Sequence, residues 1–157
     1  VQSIKRLHER GAAMRPLLLG MNNSLSDDPE FDLFPYPEGS AGWRLWKLLP
    51  EGTPRRAYLE SFERLNLLRA REWDMRAARA AASTVRPMLA GRRVVLLGTE
   101  VRAALGFPIT PPMIWHNCDD FDWAALPHPS GRNLWYNSSA NRAAASAFLR
   151  DLMGAAA

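Results

Sequence analysis

Two short polar clusters in this sequence carry side chains suited to chemistry. The first is Gly20-Met21-Asn22-Asn23-Ser24, at the end of an apolar run over residues 16–20. The second is His128-Pro129-Ser130-Gly131-Arg132-Asn133, which follows residues 124–127. A side-chain amide such as that of Asn22 or Asn66 presents a donor and an acceptor together. It can orient a water molecule but is a negligible base. A neutral imidazole at His128 can donate a hydrogen bond to negative charge that develops during a reaction, with no proton transfer. Tyr36 and Phe34 offer aromatic faces for stacking, and Ser130 with the backbone N–H groups around Gly131 suits a phosphate. Each residue also has an ordinary explanation. Asn22 reads as a turn asparagine, Asn66 as a capping residue, His128 as a satisfied loop histidine and Arg132 as a solvated charge. Pro129-Ser130-Gly131 is also a common turn. No His, Cys, Asp or Glu cluster has metal-ligand spacing, so His8 and His116 are read as structural and no metal is expected.

The elements needed to position these clusters are legible in outline. Residues 1–15 have the spacing of an amphipathic helix. Residues 16–20 read as a buried strand, and residues 21–29 as a loop leaving its end. A short helix is expected over 42–49 with Trp43 and Trp46 three apart, and a helix or short strand over 58–68. Residues 72–89 are alanine- and arginine-rich with helical spacing, and Gly91 lies just past them. A second buried strand covers 93–98. Thr99 is expected to cap a helix over 100–105 that ends at Gly106. Residues 114–117 and 124–126 read as two further strands, and Ser138 or Ser139 caps a last helix running to about Met153. This alternation predicts one α/β domain over residues 1–157, a three-layer α/β/α sandwich with a central, mainly parallel four-stranded sheet. Ligands in such folds lie at the carboxyl ends of the strands, so both polar clusters should meet at one edge of the sheet.

The order of these segments resembles the uracil-DNA glycosylase superfamily. Gly20-Met21-Asn22-Asn23-Ser24 is similar to its first motif, which runs Gly-hydrophobic-Asn-Pro-Gly in the mismatch-specific thymine/uracil and single-strand-selective monofunctional branches. His128-Pro129-Ser130-Gly131-Arg132-Asn133 is similar to its second motif, His-Pro-Ser followed by an intercalating loop. Between them, Tyr36-Pro37 and Gly42-Trp43-Arg44-Leu45-Trp46 resemble the tyrosine-proline and aromatic helix of the mismatch-specific branch. Leu65-Asn66-Leu67-Leu68-Arg69 resembles its threonine-asparagine-aliphatic segment, and Val95-Leu96-Leu97-Gly98-Thr99 its strand before a short helix. The likeness runs over residues 17–152. The sequence departs from the pattern at Asn23-Ser24, where the family has Pro-Gly, and by an insertion over 37–46.

The resemblance implies a monofunctional DNA glycosylase that flips a base from the stack and hydrolyses the N-glycosidic bond of uracil or a related modified pyrimidine, leaving an abasic site. Under that reading Asn22 places the attacking water and His128 stabilises charge on the departing base. Tyr36 stacks on the base, with Phe34 as the neighbour able to take that part; Asn66 reads the base edge and Met21 adds to its pocket. Ser130 and Gly131 meet the DNA backbone, Arg132 fills the gap left by the base, and Asn133 supports the loop or meets DNA. No cofactor is implied. The partner is single- or double-stranded DNA. The Asn23-Ser24 departure motivates a different class, a nucleic-acid-binding or base-sensing module without excision. A third reading is an enzyme acting on a modified base or free nucleotide.

Composition is permissive. The chain has 157 residues, 47% hydrophobic and 23% charged, the mix of a soluble globular domain. Lys plus Arg exceed Asp plus Glu by 20 to 16, a formal charge of +4 that suits a polyanion partner. A single cysteine, Cys118, rules out an intrachain disulfide and a four-cysteine cluster, and suits a reducing cytoplasm. No apolar run is long enough to cross a bilayer, and charges at Lys5, Arg6, Glu9 and Arg10 break any signal-peptide pattern. A monomer is the default expectation.

Overall fold

The computed structural model describes residues 14–118 and 120–155. The chain forms a mixed α/β fold on a five-stranded sheet of order β2-β1-β3-β5-β4. The strands are β1 (Leu17–Asn22), β2 (Glu63–Leu68), β3 (Arg93–Leu97), β4 (His116–Cys118) and β5 (Phe121–Leu126). Pairings β1–β2, β1–β3 and β3–β5 are parallel; β4 runs antiparallel to β5 at the edge. The expected four strands are therefore corrected to five. The added strand is β2, in the stretch read as a helix or short strand, while the strand expected over 114–117 is β4, shifted to His116–Cys118 and antiparallel to β5. Cys118 pairs with Phe121, and so short a connection admits only an antiparallel neighbour.

Burial on both faces explains why the inner strands are unbroken apolar runs. Leu17, Leu18 and Leu19 are fully buried, as are Val94, Val95, Leu96 and Leu97. Alternate residues feed two separate cores. Leu17, Leu19, Val94 and Leu96 pack with Ala78, Ala82 and Val85 of α3 (Met75–Val85) and with Val101 and Leu105 of α4 (Thr99–Leu105). Leu18, Val95 and Leu97 pack instead with Leu45 of α1 (Ala41–Leu48), Tyr58 of α2 (Arg55–Ser61) and Leu149 of α5 (Ser139–Ala155). Helices thus cover both faces, compatible with a three-layer α/β/α sandwich. The division follows from handedness. The chain steps one way from β1 to β2 and the other way from β2 to β3 and β5. Right-handed crossovers then put α1 and α2 on one face and α3 and α4 on the other.

Several boundaries shift for local reasons. The helix expected over residues 1–15 lies outside the described residues except for Met14 and Arg15, which are not helical. Residues 58–68 resolve into the end of α2 followed by β2. Helix α3 begins at the Asp74 cap, and residues 86–89 tighten into a 3-10 turn because Pro87 has no N–H to continue the helical ladder. Thr99 is the first residue of α4 rather than its cap, which is Gly98. Ser138 does cap α5, accepting from the Asn141 N–H at 3.2 Å.

The long connection from β1 to α1 is built by side chains. Asn23 forms an Asx turn at the start of this connection. Its Oδ1 accepts from the Leu25 N–H at 2.9 Å and its Nδ2 donates to the Phe31 carbonyl at 3.0 Å. Asp28 caps a 3-10 turn over Pro29–Phe31. Leu33 then adopts a left-handed backbone with φ of 50°, unusual for leucine. The hydroxyl of buried Tyr58 holds it there, donating to the Leu33 carbonyl at 2.7 Å. Tyr58→Phe leaves that carbonyl unpaired. It should lower stability by about 1–3 kcal/mol in denaturant unfolding.

Candidate functional site

The parallel strands end at a cleft of about 700 Å³. Its wall takes Met21 and Asn22 from β1, Asn66 from β2, Phe34 and Tyr36 from the β1–α1 connection, and His128, Ser130 and Gly131 from the loop after β5. Strand β1 continues in sequence to β2 on one side and lies beside β3 on the other. The cleft therefore sits at the point where the sheet's strand order reverses, where connections diverge and leave a crevice.

Asn22 closes β1 opposite Leu68. Its Nδ2 donates to the carbonyls of Ala70 and Arg71, at 3.2 and 2.7 Å. These two bonds fix the amide so that Oδ1 is the atom left for a ligand or a water. The residue offers an acceptor and no basic group.

Asn66 is the buried counterpart. It is 4% exposed, and its Oδ1 makes no hydrogen bond within the protein. The cause is Asp32, whose carboxylate is fully buried. Asp32 accepts from the Asn66 backbone N–H at 2.9 Å and from Asn66 Nδ2 at 3.4 Å, and it pairs with Arg69. Arg69 also donates to the Asn66 carbonyl at 2.9 Å. With the amino end of the amide turned to Asp32, Oδ1 is turned toward Gly20, its register partner across β1–β2. A Cβ on Gly20 would lie 2.5 Å from that oxygen, so only glycine leaves room for it. Asn66 lines the cleft, and its buried acceptor is left without the N–H donor that such an oxygen calls for. Burial pushes the Asp32 carboxyl upward, against the opposing pull of Arg69 and the Asn66 N–H.

His128 enters from the opposite wall. Burial holds its imidazole below the usual histidine range, so the ring is neutral at neutral pH. Gly98 makes room for it: its φ is +99°, and an added Cβ would lie 3.1 Å from the His128 Cβ. The backbone after His128 is closed by its own carbonyl, which accepts from the Ser130 N–H at 2.8 Å and from Asn133 Nδ2 at 3.1 Å. Asn133 Oδ1 accepts from the Trp135 N–H at 3.1 Å. Both ends of that amide are thus engaged inside the loop, so the structure gives Asn133 a loop-holding part and does not bring it to the cleft wall.

The two aromatics differ in setting. Tyr36 is 66% exposed at the mouth of the cleft, whereas Phe34 is half-buried and packs edge-on against Phe31 at 5.3 Å. Arg132 is exposed beyond the cleft wall. Trp46 and Trp135 pack against the core. Among the described residues no group of three or more His, Cys, Asp or Glu could hold a metal ion, and no helix is long and apolar enough to cross a membrane.

Sequence reasoning missed Asp32 and Arg69. The available signal was a lone carboxylate inside the apolar stretch Phe31-Asp32-Leu33-Phe34, which must find a partner if buried. The arrangement as a whole has two oriented amide acceptors, one neutral imidazole and aromatic faces around one crevice. It can hold a planar group that carries an N–H donor and a carbonyl.

No protein-family model and no curated protein matches the chain.

Asp32→Ala leaves the Asn66 N–H and Arg69 without their anion, and should lower stability by about 3 kcal/mol in denaturant unfolding. The His128 ring, followed by its imidazole proton shifts in NMR, should titrate with a midpoint below 6.5. Because the folded value is depressed, stability should fall as pH drops through 6.5, where the unfolded chain binds the proton first.

Proposed function

We propose that this chain is a uracil-DNA glycosylase-like protein that releases uracil or a related modified pyrimidine from DNA by hydrolysis of the N-glycosidic bond. The observation that carries the reading is the buried, unpartnered Oδ1 of Asn66, a residue that lines a crevice shared with Asn22 and His128. Uracil carries an imide N–H that this oxygen accepts. Cytosine presents a ring acceptor at the same position and is repelled. The base must leave the stack to enter, and Tyr36 or Phe34 provides a face for it; such stacking contributes about 1–3 kcal/mol per base.

The chemistry needs little more from the protein. Asn22 Oδ1 accepts a hydrogen bond from a water and aims its oxygen at the sugar carbon. The glycosidic C–N bond breaks with its electron pair leaving on the base, and the water oxygen bonds to the sugar. Of the two water protons, one remains on the new hydroxyl and one ends on the released base. A neutral His128 donates to the base carbonyl oxygen while that negative charge develops. Ser130 and Gly131 lie where the flipped nucleotide's backbone enters the cleft.

A single-turnover assay tests this, with excess protein on oligonucleotides carrying uracil, 5-hydroxymethyluracil or thymine, followed by alkali cleavage. Base release should occur and fall about 100- to 1,000-fold in His128→Ala, the usual effect of removing one such donor. Asn22→Ala should also slow release. Release that is unchanged in both variants sinks the reading. DNA binding with no abasic product on any substrate points to a base-sensing module. Activity on a free nucleotide alone points to a modified-nucleotide enzyme.

A further inference from the structure

Across the wall formed by Ser130 and Gly131 lies a second concavity of about 300 Å³. One bank is helix α1, with Trp43, Arg44 and Lys47; the other holds Tyr136 and Arg142. Three cations line it and no carboxylate does. None of the three is ion-paired among the described residues. Neutral groups hold them instead. Arg44 Nε donates to the Gly39 carbonyl at 3.2 Å, and its guanidinium lies 5.9 Å from the Trp43 ring centre. The Lys47 ammonium lies 5.8 Å from Trp43 and 5.1 Å from Trp46. Arg142 donates to the carbonyls of Tyr136 and Asn137, at 2.7 and 3.2 Å.

Aromatic faces and carbonyl oxygens orient a cation without neutralising it. Three like charges held around one hollow repel each other and are relieved only by an anion. The hollow also adjoins the cleft, sharing Ser130 and Gly131 with it. A Cβ on Gly131 would lie 2.7 Å from Arg44 Nη2, so the guanidinium reaches the shared wall and the missing side chain leaves room for it there.

We propose that this groove binds the phosphodiester backbone of a nucleic-acid strand whose adjoining nucleotide occupies the cleft. The inference rests on the reading of the cleft as a nucleobase site. A lone nucleotide would bring its phosphate only to the Ser130–Gly131 wall. Cations set back on α1 and α5 are placed for the next phosphate along a chain, and the strand is therefore the occupant.

The test is binding of a fluorescein-labelled, lesion-free single-stranded oligonucleotide, followed by anisotropy at increasing KCl. Lys47 is exposed and its side chain makes no hydrogen bond among the described residues, so Lys47→Glu should keep the fold. Arg150→Glu, the same charge change on a residue outside the groove, is the control. Lys47→Glu should weaken binding by about tenfold at low salt and reduce the slope of log affinity against log salt by roughly 0.7 per lost phosphate contact. At about 0.15 M KCl, where the Debye length is about 8 Å, Arg150→Glu should stay within about twofold of the parent, since Arg150 lies about two turns along α5 from Arg142 and outside the groove lining. Equal effects of the two variants would overturn the proposal. So would displacement of the oligonucleotide from the parent protein by millimolar inorganic phosphate at constant ionic strength, which would mark a small-anion site. The assay scores binding alone. A protein that binds through Lys47 but releases no base retains the groove and loses the glycosylase reading; one that releases base with no Lys47 dependence does the reverse.

Discussion

A buried carboxylate organises the site. Asp32 lies on the β1–α1 connection, yet its oxygens are bound to the backbone and side chain of Asn66 and to Arg69, all from the β2 region. Arg64 ties the same loop from the same strand, donating to the Asp32 carbonyl at 2.7 Å. A carboxylate withdrawn from water is tolerated only with such partners. The loop therefore has one seat on the sheet, and the Asn66 amide one orientation. Everything the cleft presents on that wall depends on this lock, including the acceptor facing Gly20 and the placement of Phe34 two residues beyond Asp32.

Two electrostatic regimes adjoin. The cleft holds amides and an imidazole kept neutral by burial, with Glu38 the one acidic residue in its lining. The neighbouring groove holds three cations steadied by rings and carbonyls. This division suits a ligand with an uncharged planar head and an anionic tether. Charge in the groove attracts from a distance, whereas hydrogen-bond geometry in the cleft discriminates at contact.

Much of the site was legible in one dimension. The Gly-x-Asn after an apolar strand and the His-Pro-Ser after another predicted two loops at one sheet edge. Asn22, Met21, Phe34, Tyr36, Asn66, His128, Ser130 and Gly131 do line one cleft. Local patterns also located the buried strands β1 and β3 and the caps at Ser138 and Gly106, because burial on both faces and left-handed helix ends leave residue-specific traces. A strand was placed at 114–117, overlapping β4, but its antiparallel pairing was not legible, since a three-residue edge strand carries little periodicity. Nor was the 3-10 turn after α3, where propensity over a long alanine-rich window masked the effect of Pro87.

What the sequence by itself determined is the set of chemical groups and the order of strands and loops that deliver them, because hydrophobic runs and turn residues act locally. What only the tertiary structure decided is which end of each amide faces the cleft. That depends on partners far away in sequence: Asp32 for Asn66, Ala70 and Arg71 for Asn22, Gly98 for the closeness of His128. The basic groove belongs to the same class. Its three cations come from two helices separated by most of the chain, and folding alone leaves them beside one another with no carboxylate between.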